Sequence, residues 1–148
     1  MDRFTRNALI GSGLLLILLI ISLVPWNRVG LTPRIWQLNA VLEQDPMLAS
    51  YPYPFRALLL ANGILTLTRP YDASVPVTVF LAAIDPGLAE KPAQAPEVRA
   101  AEEQLRRHEM HAILLMLAEP DVDSVIWSLD RAWLRARGVP LPPAVAAR

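Results

Sequence analysis

An uncharged apolar run near the start of the chain constrains the fold more than any other feature. Residues 8–24 read ALIGSGLLLILLIISLV and contain no charged side chain. As a helix rising ~1.5 Å per residue, this run covers roughly 26 Å, close to the ~30 Å hydrocarbon core of a bilayer. Pro25 and Trp26 follow it, and arginines lie on both sides. The pattern predicts an uncleaved transmembrane helix over Ala8–Val24.

Two other interpretations of this run are weaker. A secretory signal peptide would end at a small-x-small cleavage site, whereas the exit here reads SLVPWNRVG. A buried helix of a globular protein would normally keep a polar face. Arg3 and Arg6 favour a cytoplasmic N-terminus, although Arg28 and Arg34 weaken that bias. We therefore expect a single-pass signal-anchor protein of the bacterial cytoplasmic (inner) membrane with a periplasmic soluble domain.

Composition excludes several classes of function for the rest of the chain. The 148 residues carry 14 basic and 14 acidic side chains, so no basic field large enough for nucleic acid is present. The chain has no cysteine, which removes disulfides and thiolate metal sites. Its length allows one soluble domain. We predict a membrane anchor at 1–28, a small α/β domain at 29–138 and a proline-rich tail at 139–148.

The first half of this domain is predicted to be a helix followed by a hairpin. Thr32-Pro33 is a helix-start signal, and residues 33–44 have helical spacing, whereas the prolines of Asp45–Pro54 indicate a connection. Phe55–Thr68 contains Asn62-Gly63, a pair suited to a two-residue turn. That turn would pair Leu60 with Leu65 and Leu58 with Leu67. All four leucines would then share one buried face, while Leu59, Thr66, Ala57 and Thr68 form a more polar one.

The second half is predicted to contain one long helix and a third strand. Glu97 opens a helix with an apolar stripe that runs to about Ala118. DSVIWSL, residues 123–129, alternates in the manner of a strand. Three shorter features complete the pattern: a short helix within Ser74–Leu88, a polar loop at 89–96, and a last helix over Arg131–Arg137 capped by Asp130.

Four stretches resemble the BON domain, a small bacterial envelope module. They are LEQDPML at 42–48, NGILTLT at 62–68, the helix containing RRHEMHAILLMLA, and DVDSV at 121–125. Two glycines usual in that family are replaced by Arg69 and Asp121. An insertion of about 20 residues, around Val75–Pro96, separates the hairpin from the long helix.

The resemblance implies an α+β fold with the order α-β-β-α-β, here following the single N-terminal transmembrane helix. It also implies binding of phospholipid or of another envelope protein, without catalysis and without a cofactor. It requires Leu58, Leu60, Leu65 and Leu67 to share a buried face with the long helix.

Candidate chemistry elsewhere is sparse. His108 and His111 lie three residues apart on the long helix and could supply two metal ligands, but no third ligand is identifiable and a packed histidine is the commoner outcome. Glu102, Glu103 and Glu109 fit a solvated helix face. No Ser-His-Asp order, glycine-rich phosphate loop or G-x-S-x-G elbow is present. We predict no enzyme activity, no catalytic or metal-binding residues and no cofactor.

The last helix carries the one candidate contact site. Arg131, Arg135 and Arg137 could pair with lipid phosphates while Trp133 enters the membrane interface. The alternative is an ordinary solvated helix end, where the helix dipole favours cations.

The sequence therefore predicts a membrane-anchored, non-catalytic envelope protein. Its BON-like module would bind phospholipid or another envelope protein, and its transmembrane helix would contact membrane lipid. The alternative is an accessory single-pass subunit of a larger membrane protein complex, docked through the insertion and the transmembrane helix. The identity of the protein partner is not encoded in any motif.

Overall fold

A computed structural model describes Gly13 and residues 33–143 of the chain. The chain divides into two units after Pro33, and the second, Arg34–Arg148, is the one described below. Its helices are α1 (Arg34–Gln44), α2 (Pro46–Ala49), α3 (Val77–Ile84), α4 (Pro96–Leu117) and α5 (Arg131–Ala136), with a 3-10 turn at Pro86–Leu88. Its strands are β1 (Ala57–Ala61), β2 (Ile64–Arg69) and β3 (Ser124–Leu129). Residues 144–148 of the predicted tail lie outside the described part.

The three strands form one mixed sheet in the order β1-β2-β3. β1 and β2 are antiparallel, whereas β2 and β3 are parallel. A parallel neighbour requires a crossover connection, and here α3 and α4 supply it. The described part of the chain therefore has the predicted α+β content.

The Asn62-Gly63 turn is confirmed and also positions β3. Asn62 has a φ of 50° and Gly63 a φ of 77°, the positive angles that a two-residue hairpin turn requires. The Gly63 carbonyl accepts hydrogen bonds from the backbone N–H groups of Asp123 (2.8 Å) and Ser124 (3.1 Å). A Cβ at Gly63 would lie 2.0 Å from Asp123 Oδ2. Only glycine therefore allows the hairpin turn to hold the start of β3.

The predicted strand register is right near the turn and wrong beyond it. Leu60 pairs with Leu65 as expected, but a β-bulge between Ala57 and Leu59 makes Ala57, not Leu58, the partner of Leu67. The extra residue bends the strand and breaks the alternation of its side chains. Leu58 is consequently exposed, whereas Leu65 and Leu67 are fully buried. The requirement that the BON resemblance places on the four leucines fails at Leu58.

The first part of the insertion around Val75–Pro96 contributes to the hydrophobic core. It forms α3, whose Phe80 and Leu81 are almost fully buried. Phe80 packs edge-on against Tyr53, with ring centroids 5.7 Å apart, and in a tilted arrangement against Trp133, with centroids 5.4 Å apart. The core continues through residues of α1, α4 and the inner side of the sheet: Leu38, Leu42, Phe55, Leu65, Leu67, Leu105, Ala112 and Met116.

The segment after α1, predicted to be a connection, contains the short helix α2. Asp45 caps α2, since its Oδ1 accepts hydrogen bonds from the backbone N–H groups of Met47 and Leu48, both at 3.0 Å. Pro46 occupies the first helical turn, where its missing N–H costs nothing. Asp-Pro is thus a helix-start signal here as well as a break in α1.

The membrane-spanning architecture predicted from the sequence is corrected. Within the described residues no helix is long and apolar enough to cross a bilayer. The longest, α4, carries charged side chains throughout its first half, and α3 has only 8 residues. The predicted span Ala8–Val24 lies outside the described residues. The single-pass and signal-anchor assignments, and the inner-membrane location that rests on them, are not carried forward.

Candidate functional site

One side of the sheet exposes side chains near the hairpin turn, and we call this exposed part the outer sheet face; farther along the same side, Thr68, which pairs with Ser128, is buried. Strand register places its members in two rows across β1, β2 and β3. The rows are Leu59–Thr66–Ile126 and Ala61–Ile64–Ser124. Side chains alternate along a strand, so the residues between these positions point to the opposite side, where α4 and α1 pack.

Large aliphatic side chains on this face are exposed to solvent. The exposed fraction is 59% for Leu59, 44% for Ile64 and 50% for Ile126. Leu58, displaced by the bulge, is 49% exposed. Single exposed leucines are common on protein surfaces, but aliphatic residues gathered on one sheet face indicate an interaction site.

The outer sheet face is also uncharged. None of its six residues is ionisable. The acidic residue closest in sequence to the part of this face on β3 is Asp123, which is exposed and directly precedes Ser124. A face without cations lacks the groups that recognise phosphate or an anionic lipid headgroup.

The buried carboxylates of the domain already have partners. Glu109 accepts hydrogen bonds from Arg69 Nε (2.9 Å) and from the Tyr71 hydroxyl (3.0 Å), and Arg69 also bonds the Tyr71 oxygen. Burial, reinforced by the Glu109 charge, raises the pKa of Tyr71. The expectation that Glu109 lies on a solvated face is therefore wrong. Its oxygens serve to fix α4 against β2.

Asp130 forms a second buried site of the same kind. It accepts hydrogen bonds from Arg56 (2.8 Å), from the Tyr53 hydroxyl (3.3 Å) and from the backbone N–H of Trp133 (3.0 Å). The last of these confirms Asp130 as the cap of α5. Burial raises the pKa of Tyr53, which keeps its hydroxyl protonated as the donor.

The two histidines of α4 contact different partners. His108 is buried, stacks on Tyr51 at 4.2 Å between ring centroids, and its Nδ1 lies 2.7 Å from the Gln104 carbonyl. His111 Nε2 instead lies 2.9 Å from Asp45 Oδ2. Across residues 33–143 no three His, Cys, Asp or Glu side chains are grouped so as to hold a metal ion. The histidines fasten α4 to the segment that contains α2.

The Asp45–His111 contact makes stability depend on pH. Burial opposes ionisation of Asp45, but the hydrogen bonds from His111, Leu48 and Met47 outweigh it and lower the pKa of Asp45. The folded state thus binds its proton less readily than the unfolded state, so this contribution is present above about pH 4 and lost as pH falls through the folded-state pKa. We expect the stability difference between the unaltered protein and Asp45→Asn to shrink in acid. Urea unfolding of both proteins from about pH 6 to about pH 3 measures it; a constant difference would contradict the assignment.

The residues predicted to contact lipid lie on α5 and at its end. Trp133 is partly buried against Tyr53 and Phe80, and Arg137 lies over its ring at 4.5 Å. Arg131 bonds the Pro142 carbonyl, whereas Arg135 is exposed. With its indole packed in this way, Trp133 is not placed to enter a membrane interface, and lipid contact by these residues stays a prediction.

The chain matches no protein-family model, no curated protein and no solved structure. The BON resemblance therefore stays a prediction from the four sequence stretches, and the requirement that it places on the hairpin leucines fails at Leu58.

Sequence reasoning placed some members of the outer sheet face on a common side but predicted no site there. The predicted register placed Leu59 and Thr66 on the side opposite the buried leucines, and alternation in β3 separated Ile126 from Trp127. The missing information was the position of β3 beside β2, which brings Ile126 into the same row as Leu59.

Proposed function

We propose that residues 33–143 form a non-catalytic binding module that docks a partner protein on the outer sheet face. The observation that carries the proposal is the exposed aliphatic surface formed by Leu59, Ile64 and Ile126 on three paired strands. Burial of apolar area on a partner removes it from water at about 25 cal/mol per Å². Binding without catalysis is also what the BON resemblance of the four sequence stretches implies, although the hairpin departs from the requirement of that resemblance at Leu58.

A protein fits this surface better than an anionic lipid. Lipid headgroup recognition relies on arginine and lysine, and the outer sheet face has neither. A protein interface instead has an apolar centre depleted of charge and surrounded by polar residues. The partner's contact surface should therefore be apolar and uncharged at its centre.

Purification of the full chain from its native cells, compared with a Leu59→Lys variant, tests the proposal. We expect a protein that co-purifies in fixed proportion with the unaltered chain and is lost with Leu59→Lys. Leu59 is largely exposed, so the substitution should change stability by less than about 0.5 kcal/mol.

Leu114→Lys is the matched control, because Leu114 on α4 is 60% exposed, nearly the same fraction as Leu59. It should retain the partner. Partner capture that survives Leu59→Lys, or flotation of the chain with anionic vesicles in place of a protein partner, would contradict docking on the outer sheet face.

A second candidate is an accessory subunit that contacts a larger complex through two surfaces. Met110, Leu114 and Leu117 form an exposed apolar stripe at helical spacing on the solvent side of α4, away from the sheet. For such a subunit, Leu114→Lys and Leu59→Lys should both release the partner. Within the insertion, Phe80 and Leu81 are turned into the core, so the residues available for docking there are the exposed ones, such as Val79.

A further inference from the structure

The two edge strands of the sheet, β1 and β3, differ in how far they are protected from pairing with another strand. At the β1 edge, the Asn39 side chain of α1 acts like a short piece of strand. Its Nδ2 donates to the Ala57 carbonyl at 2.9 Å, and its Oδ1 accepts from the Ala57 N–H at 2.8 Å. The bulge at Leu58 also interrupts the ladder pattern there. Both devices stop another strand from pairing with β1.

In the described part of the chain, no side chain or bulge protects the β3 edge in this way. Ser124 and Asp130 donate their N–H groups toward β2, to the carbonyls of Gly63 (3.1 Å) and Arg69 (2.7 Å). Because alternate residues of a strand direct their backbone groups to opposite sides, Val125, Trp127 and Leu129 direct theirs outward. Within residues 33–143 no backbone group pairs with these three, and β3 is the last strand of the sheet.

The sequence of β3 is suited to pairing. Ser124–Leu129 reads SVIWSL, with no charge, no proline and no glycine. Edge strands in natural proteins usually carry a lysine, a proline or a bulge that prevents edge-to-edge association. The contrast with the closed β1 edge of the same sheet indicates that the β3 edge is kept open for a partner strand.

We propose that this partner strand is β3 of a second copy of the chain. A two-fold axis perpendicular to the sheet makes the two β3 strands antiparallel and keeps the outer sheet faces on the same side. Two residues that face each other across the paired β3 strands must then both lie on the outer side of the sheet or both lie on its inner side. With Trp127 opposite Trp127, Val125 pairs with Leu129, and all three outward-directed residues on each copy form backbone hydrogen bonds.

A second copy satisfies this edge better than an unrelated strand for two reasons. The edge is uncharged, so self-pairing within β3 brings no like charges together. The assembly also closes, because the Asn39 contact and the bulge at Leu58 protect both outer edges of the resulting six-stranded sheet. The product is a dimer that does not extend into a fibre, and it leaves Leu59 and Ile64 free for the proposed docking partner.

Disulfide cross-linking of the full chain tests the pairing, since the chain has no native cysteine. In the proposed register Ile126 lies opposite Ser128 of the other copy at a pair without mutual hydrogen bonds. Such pairs have Cα atoms ~4.5 Å apart, within the range of a disulfide. We expect Ile126→Cys/Ser128→Cys to give a covalent dimer on oxidation. The control Leu59→Cys/Leu114→Cys, with two equally accessible thiols, should remain a monomer on a non-reducing gel.

Sedimentation of the full chain gives an independent measurement. The unaltered chain and Val125→Ala should sediment as two copies. Val125→Pro should sediment as one, because it removes an outward N–H that β2 does not use. If Val125→Pro fails to fold, the cross-linking comparison still decides. A single-copy mass for the unaltered chain, an open-ended series of larger species, or equal cross-linking of the two cysteine pairs would overturn the proposal.

Discussion

Phe80→Ala is expected to lower the free energy of unfolding by about 3–5 kcal/mol, the usual range for removing a fully buried phenylalanine. Phe80 has no exposed surface and contacts the rings of Tyr53 and Trp133. Its loss opens a cavity and also removes its aromatic contacts with Tyr53 and Trp133, each worth roughly 1 kcal/mol. The large effect follows from the complete burial of the Phe80 side chain of α3 in the core.

Val79→Ala is the matched control, since Val79 is the preceding residue of α3 and is 37% exposed. It should cost less than about 1 kcal/mol. Chemical denaturation of the two variants measures the difference. The comparison requires that the free energy of unfolding fall with denaturant concentration at the same slope in both variants. Equal small losses for Phe80→Ala and Val79→Ala would show that the insertion does not contribute to the core.

Asp130→Ala is expected to destabilise the domain by about 2–4 kcal/mol, because three interactions end at one buried carboxylate. The cap of α5 is lost, the Tyr53 hydroxyl loses an acceptor, and Arg56 loses its ion-pair partner. Part of this cost is recoverable: Asp130→Asn keeps an oxygen for the cap, and we expect it to be clearly less damaging than alanine.

The comparison for Asp130 is Asp121→Ala. Asp121 also forms a short ion pair with an arginine, Arg34, but its side chain is 44% exposed. Water replaces the partner of an exposed ion pair, so this substitution should change stability far less. Thermal unfolding of the three variants is sufficient. A similar loss of stability for Asp121→Ala and Asp130→Ala would show that burial does not determine how much Asp130 contributes to stability.

The elements that could be predicted from the sequence are those with local signals. Asn62-Gly63 specifies a turn with positive φ at both residues, and it forms one. The apolar spacing of α4 and the Asp130 cap are likewise local, and both elements begin within a residue of the predicted position. Such signals depend on neighbours within about four residues, which is why one sequence is enough to read them.

The features that were missed depend on contacts distant in sequence. The bulge at Leu58 lies where Asn39 of α1 reaches the β1 edge, 18 residues away. Glu109 is buried because Arg69 and Tyr71 come to it from β2 and the segment after it. The outer sheet face needs β3 beside β2, a parallel pairing with no short-range signal. Periodicity within one segment carries none of this information.

The central claim is that the outer sheet face docks a protein, and site-specific photo-cross-linking in native cells tests it most directly. A photoreactive residue would replace Leu59 in the full chain, and the same residue would replace Leu114 in a parallel experiment. We predict a discrete adduct with a second protein from position 59 and none from position 114. Adducts from neither position, or from position 114 alone, would contradict the assignment of the outer sheet face as the docking surface.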